Sequence, residues 1–316
     1  MTDVLYILAA CAAGILLLLL VFTFISYLLT FRRRSRPLDV VRDLGIDIER
    51  YRDVMVDPKE LDARPHERVT VRSYDGLTLV ARYYHASDDA PVNILFHGYK
   101  SSPLLDFSGG IRLAHGMGHN VLLVYQRSHG ESEGGSITFG DKESRDVLSW
   151  VGYVSERFGR EHPIVLTGIS MGASTVLLAS ALEMQGNVRC VVADCPYSSP
   201  KEIIKRTVKG MHLPPSLVYP FIRLGGKIFA RFDPSAVSCV RAAASSRLPI
   251  LLIHGDADGF VPRSMSDEIY AAHTGRMDYR VFPNADHGMS YLEDAEEYER
   301  TYRSFVSEFT EKKDLK

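Results

Sequence analysis

Short apolar runs alternate with longer amphipathic segments after residue 67, and this pattern predicts alternating strands and helices. The strand-like runs are rich in Val, Ile, Leu and Tyr and are bounded by turn residues; they cover residues 68–73, 77–85, 92–96, 121–125, 164–167, 188–193, 250–253 and 279–282. Apolar residues recur at helical spacing in residues 104–115, 141–158, 171–185, 263–273 and 295–310. Asp75-Gly76 between the first two runs indicates a hairpin, and the later, continuously apolar runs indicate a parallel sheet with both faces covered. The pattern predicts an α/β fold with a mostly parallel eight-stranded sheet.

Residues 196–248 interrupt the alternation. They contain no strand-like run and carry prolines at positions 200, 214, 215, 220 and 234. An insertion between the runs that end near residue 194 and begin near residue 250 leaves the sheet at its carboxyl-end edge, where α/β proteins bind their ligands. We therefore expect a helical cap over a site.

The amino-terminal segment is apolar without a polar face. Residues 4–31 hold no charged side chain, and as a helix they would reach about 40 Å, more than the roughly 30 Å hydrocarbon core of a bilayer. A cleaved signal peptide would need a basic start and a shorter apolar core, whereas only Met1, Thr2 and Asp3 precede this run. Arg32, Arg33, Arg34 and Arg36 follow it, which predicts a single-pass anchor in the cell membrane with the rest of the chain in the cytoplasm.

The expected organisation is thus an anchor with its basic flank at residues 1–36 and a polar tether at 37–66. A core at 67–195 and 249–316 follows, with the cap at 196–248. The formal net charge of −2 gives no basic surface for nucleic acid. The four cysteines form no CxxC pair, and glycines 116 and 118 interrupt the spacing of His115 and His119 that would suit zinc. With no Walker or dinucleotide fingerprint present, we expect neither an organic cofactor nor a metal.

Candidate chemistry begins at residues 168–172, which read G-I-S-M-G. A strand-like run precedes this G-x-S-x-G and a helical run follows it, the order that lifts a serine above the carboxyl end of a sheet. A serine hydroxyl is a weak nucleophile until a base accepts its proton, so a histidine and an orienting carboxylate are expected downstream.

Both partners follow predicted strands. Residues 254–262 read H-G-D-A-D-G-F-V-P and residues 283–288 read P-N-A-D-H-G. His287 is the candidate base, while the residues alone leave two candidate carboxylates, Asp258 and, second to it, Asp256. An oxyanion formed at Ser170 would need two backbone amides; the candidates are Met171, directly after the serine, and Tyr99, in the H-G-Y loop after run 92–96.

At these residues the sequence resembles the α/β-hydrolase superfamily. It is most similar to its serine aminopeptidase-like or lysophospholipase-like bacterial hydrolases with an N-terminal membrane helix. The matching pieces are H-G-Y at 97–99, R-S-H-G-E-S at 127–132, G-I-S-M-G, H-G-D-A-D at 254–258 and D-H-G at 286–288. The resemblance implies an eight-stranded sheet, a cap, and Asp258 rather than Asp256 as the acid. Tyr125 departs from the family, which usually carries an aspartate two residues before the loop arginine.

The expected activity is hydrolysis of a carboxylic ester, thioester or amide through an acyl-enzyme on Ser170, His287 and Asp258. The expected substrate is a small-molecule or lipid-like acyl compound. An acyltransferase would use the same residues with another acceptor in place of water. A non-catalytic binding protein of the same fold would be expected to lack one of the three.

Overall fold

The protein is described by a computed structural model that covers residues 2–33, 58–184 and 186–311. Its strands are β1 Glu67–Arg72, β2 Thr78–Tyr84, β3 Val92–Phe96, β4 Asn120–Tyr125, β5 Pro163–Ile169, β6 Asn187–Asp194, β7 Ile250–Gly255 and β8 Met277–Phe282. Its helices are α1 Thr2–Thr30, α2 Pro58–Ala63, α3 Pro103–Asp106, α4 Gly110–Gly116, α5 Asp141–Phe158, α6 Met171–Ala179, α7 Pro200–Gly210, α8 Pro215–Gly225, α9 Cys239–Ser245, α10 Ser264–Ala272, α11 Ser290–Glu293 and α12 Ala295–Thr310. A π-helical turn, Gly226–Ala230, follows α8.

The eight strands form one sheet in the order β1-β2-β4-β3-β5-β6-β7-β8. Strand β2 pairs antiparallel with β1 and with β4, and every pair from β4 to β8 is parallel. The Asp75-Gly76 turn joins β1 to β2, with Gly76 at a positive φ of 87° that a tight turn requires. The predicted mostly parallel eight-stranded sheet is confirmed.

Alternate residues of the central strands enter different cores. On β3, Ile94 and Phe96 pack on one face with α5, α6 and the cap, whereas Leu95 packs on the other face with α2 and α4. On β5, Val165 joins a cluster with α12. Because helices cover both faces, the strands read as continuous apolar runs, which is the pattern seen in the sequence.

Two predicted helices differ from the structure. The segment 104–115 forms two short helices, α3 and α4, separated at Gly109, where a Cβ would lie 2.3 Å from the ring of Tyr291. The segment 171–185 is helical only to Ala179. The Ser180 hydroxyl donates to the carbonyl of Leu177, an alternative to the helical ladder that short polar side chains offer near helix ends.

Helices α7, α8 and α9 and the π-helical turn lie between β6 and β7, in the predicted cap region. Part of the cap packs along α1: the rings of Phe221 and Phe22 are 4.9 Å apart, and a Cβ on Gly225 would lie 2.9 Å from the carbonyl oxygen of Thr23. The cap and the carboxyl-terminal part of α1 are therefore in direct contact.

Helix α1 is the one helix of the described residues that is long and apolar enough to cross a membrane. Its side chains are exposed up to Phe22, but its last turns belong to the hydrophobic core. Phe31 is fully buried against Phe139 and Phe232, with ring centroids 5.8 and 5.2 Å away. Most of the predicted tether, residues 37–57, lies outside the described residues, as do Arg34 and Arg36.

Candidate active site

Ser170 occupies the sharp turn between β5 and α6. Its φ and ψ are 56° and −114°, a conformation that L-residues rarely adopt, and its backbone N–H donates to the carbonyl of Asp194 at 2.8 Å. The turn is closed by tight backbone packing, since a Cβ on Gly172 would lie 1.8 Å from the carbonyl oxygen of Phe96. Glycine at this position lets helix α6 pass against strand β3, which presents the Ser170 hydroxyl above the sheet.

Three side chains from three strand ends form one hydrogen-bonded row. His287 Nε2 lies 2.9 Å from Ser170 Oγ, and His287 Nδ1 lies 2.8 Å from Asp258 Oδ2. A carboxylate only accepts, so Nδ1 carries the proton toward Asp258 and Nε2 is left to accept from the serine hydroxyl. The structure brings together the serine, the histidine and the first-ranked carboxylate of the sequence analysis.

Asp258 is held as an anion by its surroundings. Burial acts to raise its pKa, but hydrogen bonds from His254 and His287 and from the Val261 amide outweigh this and hold the pKa of Asp258 well below its usual range. Its Oδ1 accepts from the amides of Phe260 and Val261 at 2.9 and 2.7 Å. The carboxylate is thus fixed on one side by backbone donors and aimed with its other oxygen at the histidine.

The second candidate carboxylate has a different contact. Asp256 Oδ1 accepts from the backbone amide of Asn284 at 2.7 Å and so ties the loop after β7 to the loop after β8. Asp286 acts similarly, because its Oδ1 accepts from the amides of Gly259 and His287. These two carboxylates brace the loops that carry Asp258 and His287.

The H-G-Y loop lies directly beside Ser170. A Cβ on Gly98 would sit 3.5 Å from the Ser170 Cβ, and the Gly98 amide donates to Asp106 Oδ2 at 2.6 Å. The Lys100 amide donates to His129 Nε2 at 3.0 Å, which anchors the far side of the loop. The Tyr99 amide lies between these two fixed points, and Met171 begins helix α6 next to the serine.

Two buried histidines hold this loop as neutral rings. Burial lowers the pKa of His129 to about 4, and its Nδ1 lies 2.9 Å from the Arg127 carbonyl, so that Nε2 can accept from Lys100. Burial also lowers the pKa of His97, whose Nδ1 faces the Gly98 carbonyl at 2.8 Å and whose Nε2 accepts from the Gln126 amide. Both rings therefore act as fixed hydrogen-bonding groups of the loop at neutral pH.

Comparison with known proteins agrees with this architecture. The alpha/beta hydrolase family matches residues 94–301, which run from within β3 into the first half of α12 and include all three aligned side chains. This chain is an α/β hydrolase.

Similar proteins include two uncharacterized bacterial proteins and an esterase of known structure. The uncharacterized protein YqkD of Bacillus subtilis is 24% identical over 287 residues, which cover 89% of this hydrolase and 90% of YqkD. The uncharacterized protein Rv2307c of Mycobacterium tuberculosis is 26% identical over 243 residues, covering 76% and 79%. The crystal structure of the Pyrococcus furiosus esterase Pf2001 is 25% identical and covers 81% of this hydrolase and 98% of the esterase, with a TM-score of 0.67.

The R-S-H-G-E-S loop of this hydrolase shows how it accommodates Tyr125. Arg127 forms two-pronged ion pairs with Asp146 on α5 and with Asp75 in the β1–β2 turn, at 2.6 to 3.0 Å. Its hydrogen bond with Arg127 lowers the pKa of Asp75 to about 2. The Tyr125 ring lies under Gly130, where a Cβ would be 2.3 Å from it. The arginine of this loop therefore pairs with carboxylates from two other elements.

One set of potential metal ligands coincides with the site. Single ligand atoms of Cys195, Asp258 and His287 lie within 4.8 Å of one another. However, the His287 Nδ1 and Asp258 Oδ2 atoms already face each other at 2.8 Å, and burial raises the pKa of the Cys195 thiol well above its usual range. The Cys195 thiol is therefore neutral, and His287 and Asp258 already pair with each other. These three groups suit the hydrogen-bonded row of the site better than they suit a metal ion, which would need a thiolate and unpaired ligands.

Two carboxylates near the site, one half-buried and one buried, were not found from the sequence. Asp106 accepts from Gly98 and from the Ser101 hydroxyl, and burial raises its pKa. Asp194, at the end of β6, accepts from the Tyr298 hydroxyl at 3.0 Å, and its Oδ1 has no hydrogen-bond partner among the described residues. Burial raises the pKa of Asp194 to about 6, and His254, His287 and Asp258 lie near it. No sequence motif marks either residue, because the burial that raises the pKa of each carboxyl exists only in the folded chain.

Proposed function

We propose that this α/β hydrolase is a membrane-anchored serine hydrolase that cleaves carboxylic esters through an acyl-enzyme on Ser170. The observation that carries the proposal is the row from Asp258 through His287 to Ser170, with both hydrogen bonds below 3 Å and the serine on a strained turn. The likeness to an esterase of known structure supports ester hydrolysis in particular. A small uncharged or lipid-like acyl compound is the substrate class we propose.

In the acylation step, His287 Nε2 accepts the Ser170 proton as Oγ forms a bond to the acyl carbon. The carbonyl electron pair moves onto oxygen, and the amides of Met171 and Tyr99 donate to that oxyanion. Met171 is suited to this because it is the first residue of a helix, where backbone N–H groups are unpaired and the helix dipole favours negative charge. When the intermediate collapses, the bond to the alcohol breaks and the alcohol leaves with the proton held by His287.

In the deacylation step, His287 accepts a proton from water as the water oxygen attacks the acyl carbon. The second oxyanion collapses, the bond to Ser170 Oγ breaks, and Oγ recovers the proton from His287. Asp258 stays ionised throughout, stabilises the imidazolium and keeps Nδ1 protonated. Its low pKa fits this role, since it must not accept the proton itself.

The proposed anchor is helix α1. Its exposed part up to Phe22 is long enough to cross the hydrocarbon core, and the arginines from position 32 onward favour a cytoplasmic hydrolase domain by the positive-inside rule. A signal peptide cleaved at the end of the apolar run would remove Phe31, a fully buried core residue. Protease treatment of intact spheroplasts tests the topology: protection of the hydrolase domain is expected, and its digestion would overturn the cytoplasmic placement.

The catalytic proposal is tested on the full-length chain in detergent with a fluorophosphonate probe and a short-chain p-nitrophenyl ester. We expect one adduct on Ser170 by intact mass and none on Ser170→Ala. Asp258→Ala and Asp256→Ala form a matched pair in one loop. Loss of the orienting carboxylate should lower kcat by about 10³- to 10⁴-fold, whereas loss of the loop brace should leave most activity in the folded fraction.

Two results would refute the catalytic proposal. One is a folded wild-type protein that neither forms an adduct nor hydrolyses any of a panel of esters. The other is ester hydrolysis that survives unchanged in Ser170→Ala. Equal losses in Asp258→Ala and Asp256→Ala would instead refute the assignment of the acid.

A further inference from the structure

Helices α7 and α8 with the turn between them, residues 200–225, form a hairpin that we call the cap hairpin. Its tip is unusually apolar for a surface: Met211 is 64% exposed and Leu217 67%, with Leu213 also exposed. Exposed apolar side chains that cluster in this way are typical of a surface that contacts a membrane or another protein. We propose that the tip of the cap hairpin inserts into the lipid leaflet through which α1 passes, an inference that rests on the proposed membrane span of α1.

The cap hairpin is aligned with α1. The Phe221 ring contacts the Phe22 ring at 4.9 Å, and Gly225, one turn later, lies against Thr23 and Tyr27. Helix α8 therefore runs in the same direction as α1, and its earlier residues lie beside earlier residues of the span. Leu217 precedes Phe221 by one turn, so it lies about 6 Å nearer the amino-terminal end of α1.

The exposed fraction of the α1 side chains falls close to Phe22, where α8 contacts the helix. Leu17 and Leu18 are 62% and 70% exposed, whereas Leu19 and Leu20 are each 44% exposed. The drop begins about one turn before Phe22, so neighbouring side chains already cover α1 there. Part of the cap therefore reaches past Phe22 toward the middle of the apolar run.

The membrane boundary follows from where the burial of α1 begins. All side chains of α1 from Val4 to Phe22 are exposed, and this stretch would measure about 28 Å as a helix, close to the roughly 30 Å of a hydrocarbon core. From Thr23 onward, α1 has side chains buried in the protein. If the boundary lies near Phe22, the Leu217 side chain sits about 6 Å below it, within the 5–10 Å to which interfacial helices bury their apolar faces.

The charged residues of the cap hairpin are distributed unevenly. Residues 210–222 contain no Asp, Glu, Lys or Arg, and Lys209 and Arg223 flank them on either side. The whole hairpin carries five Lys or Arg and one acidic residue, Glu202, in a chain whose net charge is −2. An uncharged apolar tip between basic flanks matches the layering of a leaflet, with acyl chains inside and anionic head groups at its surface.

The hairpin is coupled to the proposed active site. Arg206 on α7 donates to the carbonyls of Gly259 and Phe260, which directly follow Asp258. The Phe260 ring lies 5.2 Å from the His287 ring. Insertion of the tip would therefore fix the loop of the proposed acid relative to the lipid surface, which favours acyl substrates that are presented by the bilayer.

The test places a tryptophan at the tip of the full-length protein in nanodiscs of phosphatidylcholine and phosphatidylglycerol. Leu217→Trp is the probe, and Tyr270→Trp, an exposed aromatic position on α10, is the matched control. The native Trp150 is fully buried and gives a constant background. Lipids spin-labelled on the acyl chain should quench most of the emission that Leu217→Trp adds, whereas iodide in the water should quench little of it. For Tyr270→Trp, iodide should quench the added emission and the spin-labelled lipids should have little effect.

Two outcomes would overturn the inference. Quenching of Leu217→Trp by iodide as strongly as Tyr270→Trp would mean that the tip lies in water. Protection of Leu217→Trp from both quenchers would mean that a second copy or another protein covers it. Leu8→Trp on α1 and fluorophosphonate labelling of Ser170 in the same samples separate this from failure of the proposed function, because they report the membrane span and the hydrolase independently.

Discussion

Replacement of Phe31 by alanine tests whether the end of the apolar helix is part of the hydrolase core. The side chain is fully buried, with ring centroids of Phe139 and Phe232 at 5.8 and 5.2 Å in edge-to-face geometry. Its backbone carbonyl also accepts from the Ile137 amide at 2.7 Å, an interaction that Phe31→Ala retains. The variant therefore isolates the packing of the ring.

The expected loss is large. Truncation of a buried phenylalanine to alanine costs about 3 to 5 kcal/mol because it removes apolar burial and leaves a cavity. Two lost edge-to-face aromatic contacts favour the upper part of that range. For a domain of this size, the midpoint of thermal unfolding should fall by roughly 10 °C.

The assay follows the fraction of full-length protein in detergent that still reacts at Ser170 with a fluorophosphonate probe after heating. Leu16→Ala is the control, since this leucine lies in the exposed part of α1. A midpoint for Phe31→Ala within a degree or two of the control would refute the reasoning, because α1 would then be a separable anchor. The expected result also predicts that deletion of residues 1–36 destabilises the domain.

Two further variants test the packing and electrostatics around Ser170. Gly172→Ala should abolish folded, probe-reactive protein, because its Cβ would lie 1.8 Å from the Phe96 carbonyl oxygen. The control Gly152→Ala on α5 has no atom within 4 Å of its Cβ and should fold normally. Equal yields of the two variants would contradict the tight packing of the turn at Ser170. Burial raises the pKa of Asp194 from 3.8 to about 6, so its contribution to stability is complete below pH 4 and is lost as the pH rises through about 6. Relative to wild type, Asp194→Asn should therefore gain up to about 3 kcal/mol in free energy of unfolding between pH 4 and pH 8, as measured by urea unfolding. A difference between the two proteins that does not change with pH would show that the pKa of Asp194 is not raised in the folded protein.

The pattern of residues along the chain was sufficient to predict the strands of the sheet and the motifs of the candidate site. The apolar runs located all eight strands. The central strands are apolar at nearly every position because both of their faces are covered, whereas the edge strands β1 and β8 are only partly buried. G-I-S-M-G, H-G-D-A-D and D-H-G predicted that Ser170, His287 and two candidate carboxylates lie together, because each motif follows a strand and the carboxyl ends of parallel strands meet at one edge of the sheet. The order of residues along the chain was therefore sufficient to predict the groups that lie at the end of a strand.

Contacts between distant segments were decided only by the tertiary structure. Asp256 and Asp258 are two residues apart in one loop, and only the fold aims Asp258 at His287 and Asp256 at Asn284. Asp106 and Asp194 carry no motif, since burial in the folded chain raises the pKa of both carboxyls, and the partner of Asp194, Tyr298, comes from a distant helix. Likewise, composition identifies the apolar helix but cannot show that Phe31 packs into the core, because hydrophobicity is the same whether lipid or protein surrounds the side chain.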